Sequence, residues 1–263
     1  MRRDQQPHGG RSQPQGPSGA PADFAHIEIG NNAQRLPLVL CLDTSHSMRG
    51  TPIESLNEAL RSWTRDLRDD VSLSASVEIA VITFGGQGVN AWQGPYPLPP
   101  QARVSPFVSA GAFQPPQLMA SGVTLMTEAL ELAMQIVMAR KQELRQSGLQ
   151  HFRPQICLVT DGIPTDQQGH PTDRWRRLVP VLSREQDERR FRLYAIGVGG
   201  VTSHGAQVLE ALAPKFNARL EGFPFRDLLQ MMSASASAEQ KGAGDEVFEK
   251  IFSRFTQRPA WEH

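Results

Sequence analysis

Continuous apolar runs alternate with helically spaced apolar positions along most of this chain. Leu36-Pro-Leu-Val-Leu-Cys-Leu-Asp43 is apolar until it ends in a carboxylate, the pattern of a parallel strand buried on both faces. After Pro52, a residue suited to a first helical turn, Ile53, Leu56, Leu60, Trp63 and Leu67 recur at helical spacing. Val77 to Phe84 reads as a second strand, closed by Gly85-Gly86. The Pro-rich passage from Gln93 to Pro116 cannot supply central sheet. A long helix is expected from about Thr124 to Gln146, then a strand over 155–161 that again ends in a carboxylate, Asp161. Trp175, Leu178, Val179 and Leu182 share one helical face, and Phe191 to Val198 forms the next strand. A short helix near Val208 to Leu212, a last strand near Phe216 to Leu220 and a helix carrying Phe225, Leu228, Leu229 and Met232 complete the series. Such alternation predicts an α/β fold: a doubly wound, mostly parallel sheet with helices on both faces.

Composition divides the chain. Residues 1–35 are rich in Gln, Pro, Gly, Ser and Arg, with almost nothing apolar before Phe24, so a disordered arm is expected there. The stretch Phe24-Ala-His-Ile-Glu-Ile is a short exception that could add to the folded body. The body is assigned to 36–238, and 239–263 to a tail. In that tail Val247, Phe248, Ile251, Phe252 and Phe255 give a short amphipathic helix, suited either to docking on its own domain or to a partner's groove.

Charge changes the picture by exclusion. Lys+Arg and Asp+Glu each number 27, a balance that argues against bulk attraction to nucleic acid or anionic membranes. Two cysteines exclude a disulfide scaffold or a Cys-rich zinc module. No apolar run approaches a membrane span, and no hydrophobic signal region follows Arg2-Arg3-Asp4, so a cytoplasmic protein is expected.

In doubly wound sheets ligands bind at the carboxyl ends of the strands, which directs attention to Asp43 and Asp161. Asp43-Thr-Ser45-His-Ser47 places a carboxylate and two hydroxyls on one tight loop. Asp161-Gly162 offers a second carboxylate to the same rim, and Ser121-Gly-Val-Thr124 a third hydroxyl. Hard cations take such oxygen shells, and magnesium keeps several waters besides. Each segment alone also suits turn or N-cap chemistry; three of them at strand-to-helix turns point to a metal.

These residues resemble the metal-ion-dependent adhesion site of the von Willebrand factor A (VWA) domain family. Within it, Glu78-Ile-Ala-Val-Ile-Thr-Phe-Gly-Gly, Phe113-Gln-Pro-Pro-Gln-Leu and Asp161-Gly-Ile-Pro-Thr-Asp are similar to bacterial tellurite-resistance Y-type (TerY-like) proteins. The resemblance spans about Leu36 to Ala238. It implies that Ser45, Ser47 and Thr124 bind Mg2+ directly (Mn2+ or Ca2+ as alternatives), with Asp43 and Asp161 acting directly or through water. It further implies a stress or tellurite-resistance setting with kinase or phosphatase signalling partners. Two positions depart from the family's pattern: His46 and Val123 each stand where Gly is frequent, and neither removes a ligand. With only Cys41 and Cys157, the zinc ribbon of some TerY-like proteins cannot form.

A shell of mostly neutral hydroxyls leaves a cation electrophilic, with a position for an outside Asp or Glu. The expected function is therefore a metal-completed contact with a protein partner, not catalysis. The alternative is a metal-dependent hydrolase using the same site to activate water. Against catalysis, no general base beyond the ligands themselves is in view. Other signals carry less. Gly197-Val-Gly199-Gly200 lacks the third glycine of a dinucleotide fingerprint, because position 202 is Thr. A haloacid-type phosphatase would need Asp where Ser45 stands. His46 and His170 read as surface side chains, Cys41 and Cys157 as buried thiols, and Arg176-Arg177 and Arg189-Arg190 as solvated faces.

Overall fold

The computed structural model describes residues 33–257 except 87, 100, 101 and 103. The arm expected over 1–35, with its Phe24 segment, lies outside these residues up to position 32. Eight strands among the described residues form one sheet: β1 (Leu36–Thr44), β2 (Val77–Gly85), β3 (Gly88–Gln93), β4 (Tyr96–Pro97), β5 (Val108–Ser109), β6 (Gln155–Thr160), β7 (Arg192–Gly197) and β8 (Asn217–Arg219). Their order is β4-β3-β2-β1-β6-β7-β8, with β5 beside β2. The run β2-β1-β6-β7-β8 is parallel, while β3, β4 and β5 are antiparallel additions at the β2 side.

Seven α-helices cover the sheet: α1 (Thr51–Asp69), α2 (Val71–Ser76), α3 (Met126–Gln146), α4 (Val179–Asp187), α5 (Ser203–Leu212), α6 (Phe225–Gln240) and α7 (Asp245–Thr256). Helices α1, α2, α6 and α7 pack on one face, and α3, α4 and α5 on the other. The expected α/β architecture is present. The apolar stripe of α1 (Ile53, Leu56, Leu60, Trp63 and Leu67) is buried throughout. Every residue of β1 and β2 is buried, which explains why both read as continuous apolar runs.

Three details differ from the sequence expectation. The hairpin partner β3 follows β2 through the short Gly-rich turn after Gly85, and its half-buried alternation gives no strong strand signal. The helix carrying Trp175 is split into a 3-10 turn, Arg174–Leu178, and α4, whose second residue is Pro180. The boundary at 238 falls inside α6. Phe248, Phe252 and Phe255 lie in the core of the α1/α6 face, each such burial contributing about 1.5–3 kcal/mol before ordering costs. The apolar face of α7 therefore docks on its own domain.

Cys41 and Cys157 stand on neighbouring strands but on opposite faces. Leu40, not Cys41, is the register partner of Cys157, and side chains alternate along a strand. Burial pushes both thiols far above their ordinary range, with Cys157 adding to the effect at Cys41.

β1 sits at the switch point of the sheet. Its successor β2 lies on one side and β6 on the other, so the loops after β1 and β6 diverge to opposite faces. The crevice between them opens at the carboxyl ends of the strands, where Asp43 and Asp161 stand.

Candidate metal centre

Asp43 is the penultimate residue of β1 and is 1% exposed. Its Oδ1 accepts the Ser45 backbone N–H at 2.8 Å, which folds the chain tightly after the strand. Its Oδ2 accepts the Thr160 hydroxyl at 2.6 Å from the last residue of β6. From there a hydrogen-bonded chain runs outward. Ser45 Oγ and Ser47 Oγ are 3.1 Å apart, and the Ser47 hydroxyl donates to Asp161 Oδ1 at 2.8 Å. Asp43, Ser45, Ser47 and Asp161 are thus linked within one small volume, from a buried floor to an exposed rim.

Thr124 closes the remaining side. Its Oγ1 lies 3.3 Å from where a Cβ of Gly162 would stand, directly beside the Asp161 turn. Thr165 fixes it from behind: the Thr124 N–H donates to Thr165 Oγ1, and the Thr165 N–H donates to the Thr124 carbonyl, both at 2.9 Å. Sequence reading missed Thr160 and Thr165 as positioning residues. Their signal, threonines flanking Asp161-Gly162 in Thr160-Asp-Gly-Ile-Pro-Thr165, is visible only once the Asp turn is known to matter.

The loop before Thr124 is stitched to the Asp43 loop by backbone bonds. The Ser121 N–H donates to the Thr44 carbonyl at 2.8 Å, and the His46 N–H to the Gly122 carbonyl at 2.9 Å. Gly122 has φ +71°, and a Cβ there would collide with the Gly86 backbone, so both conformation and space demand glycine. His46, by contrast, opens a 3-10 turn over His46–Met48 with its side chain exposed. Its φ is not positive, so the absence of glycine there leaves the loop unstrained.

The electrostatics suit a cation. Burial raises Asp43 to about 6, against the opposing hydrogen bonds of Ser45 and Thr160, and Asp161 adds a further upward push. Asp161 is raised as well, by burial. Among the described residues neither carboxylate takes part in an ion pair with Lys, Arg or His. Two carboxylates without a cationic partner, linked through the Ser45 and Ser47 hydroxyls with the Thr124 hydroxyl beside the Asp161 turn, form a hard-oxygen donor set that fits a divalent ion such as magnesium. Among the described residues no three His, Cys, Asp or Glu side chains gather, in keeping with a shell made mainly of hydroxyls.

Comparison with known proteins follows the same line. A family model described as von Willebrand factor type A domain matches residues 38–227. A search of curated proteins found no match. Among solved structures, the pilus adhesin SpaC from Lactobacillus rhamnosus GG, in an open conformation, is 15% identical over 80% of this chain and 30% of its own, with a TM-score of 0.54. Proximal thread matrix protein 1 from the mussel byssus is 16% identical over 80% of this chain and 47% of its own, with a TM-score of 0.48. The manganese-loaded Plasmodium vivax TRAP protein is 18% identical over 76% of this chain and 72% of its own, with a TM-score of 0.44. At such identities the likeness to SpaC is one of fold. The chain spans 30% of SpaC's length and 47% of the byssus protein's.

Proposed function

The chain belongs to the von Willebrand factor type A domain family, and on that premise we propose that it is a divalent-cation-dependent protein-binding module, non-enzymatic in itself. The observation that carries this reading is the hydrogen-bonded chain Asp43–Ser45–Ser47–Asp161 with Thr124 beside it. Ser45, Ser47 and Thr124 would hold Mg2+, or Mn2+ or Ca2+, together with Asp43 and Asp161. The ion would offer an open position to an Asp or Glu of the partner. The protein's own contribution is orientation: Thr160 holds Asp43, Thr165 holds Thr124, and the Ser121–Gly122 backbone fixes the loop that carries Ser45 and Ser47. An exposed rim, with Ser47 at the surface and Asp43 beneath it, suits contact with a large partner.

The finer assignment is bacterial stress or tellurite-resistance-type signalling with kinase or phosphatase partners. It rests on the short TerY-like phrases such as Asp161-Gly-Ile-Pro-Thr-Asp. The test is partner capture from the native cell extract in magnesium, in chelator, and with Asp43→Ala. Specific partners are expected in magnesium alone, and only with the wild-type protein. Capture by Asp43→Ala equal to wild type would overturn the mechanism. Metal-dependent phosphatase or esterase turnover that disappears in Asp43→Ala would favour the hydrolase instead.

A further inference from the structure

At the opposite edge of the sheet, by the amino ends of β6, β7 and β8, lies a second polar cluster that the metal centre does not use. A cavity of about 430 Å³ there is lined by Arg153, Arg189, Arg192 and Lys215, against the carboxylates Asp187 and Asp245. Three guanidinium groups meet at Asp245, which lies 3.7 Å from Arg153, 3.2 Å from Arg189 and 3.2 Å from Arg192. Glu239 accepts from Arg192 at 2.8 Å from behind the cavity. Lys215 has no carboxylate within ion-pair distance among the described residues. The Nε–H groups of Arg153 and Arg192 are buried without an acceptor, although those side chains are only 11% and 1% exposed.

Buried guanidinium groups with unspent donors are costly unless an anion satisfies them. Burial, followed by the nearby Arg192 charge, pushes Arg153 down to about 10, against the opposing charges of Asp245 and Glu239. The first turn of the twelve-residue α7 also begins at Asp245, with Glu246 beside it, so the cavity adjoins the positive end of a helix that carries two carboxylates of its own. Arginine forks match phosphate oxygens in pairs, and a multiply charged phosphate would compensate several of these cations at once.

We propose that this cavity binds the phosphate group of a small soluble anion, seated by Lys215, Arg189 and Arg153 beside the amino end of α7. Asp245 is the resident carboxylate with which that phosphate shares the arginines.

The test is calorimetric titration of the full chain with inorganic phosphate and with pyrophosphate, in chelator so that the metal centre plays no part. Sodium chloride of matched ionic strength is the control. Saturable binding is expected, tighter for pyrophosphate. Lys215→Ala combined with Arg189→Asn (Asn tolerates the φ of +55° at this position) is expected to weaken it at least tenfold, while the variant still unfolds in a single cooperative transition. Absence of saturable binding, heats reproduced by chloride, or wild-type affinity in the double variant would each overturn the site. Inorganic phosphate binding as tightly as pyrophosphate would overturn the multi-cation seating.

Discussion

Thr160 shows what a single side chain contributes to the candidate metal centre. It reaches across the sheet to Asp43, 117 positions away in sequence, and donates its hydroxyl to Oδ2. A carboxylate that is 1% exposed depends on such donors, since water cannot replace them. Thr160→Val keeps the shape and removes the donor. It is expected to lower stability in chelator by about 1–3 kcal/mol, measured by urea unfolding. It should also reduce the stabilisation gained from magnesium, and Thr160→Ser should restore most of both. The five candidate donors were legible as a cluster of oxygen side chains, because alternating oxygen side chains after an apolar run are a local pattern. Thr160 and Thr165 were not, because their partners are brought to them by β-strand neighbours and a loop crossing.

At the scale of the element, α7 and the strand beneath it hold the most information that sequence reading left open. Its apolar face was plain in Val247, Phe248, Ile251, Phe252 and Phe255, but a periodic pattern says only that a helix has something to bury. The structure gives the acceptor: Phe252 packs against Tyr194 and Phe216 with ring centroids 5.9 and 5.6 Å away. Arg192, a charged residue within the buried strand β7, stacks 3.3 Å from the Phe248 ring and binds Glu239 of α6 and Asp245 of α7. Arg189, read as solvated, joins the same cluster through Asp245.

Asp245 makes this docking sensitive to acid. Burial raises its carboxyl, but Arg189, Arg192 and Arg153 outweigh burial and hold it below the ordinary value of 3.8. A group depressed in the folded state contributes stability above its unfolded value and loses it as pH falls through the folded one. Stability should therefore decline below about pH 4, and Asp245→Asn should flatten that part of the profile. Urea midpoints collected from pH 3 to 6 for both proteins check this, and identical slopes would count against it. Because the Asp245 side chain is 42% exposed, water screens the effect and keeps it modest.

For the whole molecule, a site built from both sides of the switch point links its ligand to global stability. The donors come from the loops after β1 and β6 and from the segment before α3, so unfolding scatters them all. Magnesium at a hundredfold excess over its dissociation constant is expected to stabilise the wild-type chain by about 2.7 kcal/mol. Asp43→Ala should gain nothing. Thermal unfolding with and without chelator measures this, and equal shifts in the two proteins would show that the ion binds elsewhere. Formal charge, 27 against 27, is silent about all of it. Charge is instead distributed locally at the two edges of the sheet: carboxylates without a cationic partner at the carboxyl end, and clustered arginines at the amino end.

The sequence by itself determined the sheet's buried strands, the main helices and the position of five oxygen-bearing side chains, Asp43, Ser45, Ser47, Thr124 and Asp161, at the turns beside the strand ends. Those are consequences of local apolar period and of which side chains follow a strand. Only the tertiary structure decided that Cys41 and Cys157 face opposite sides, that β3 pairs with β2, that α7 closes its own domain, and that Thr160, Thr165 and Arg192 are committed to distant partners. Each depends on strand register or on a contact between residues far apart along the chain, and no local pattern encodes either.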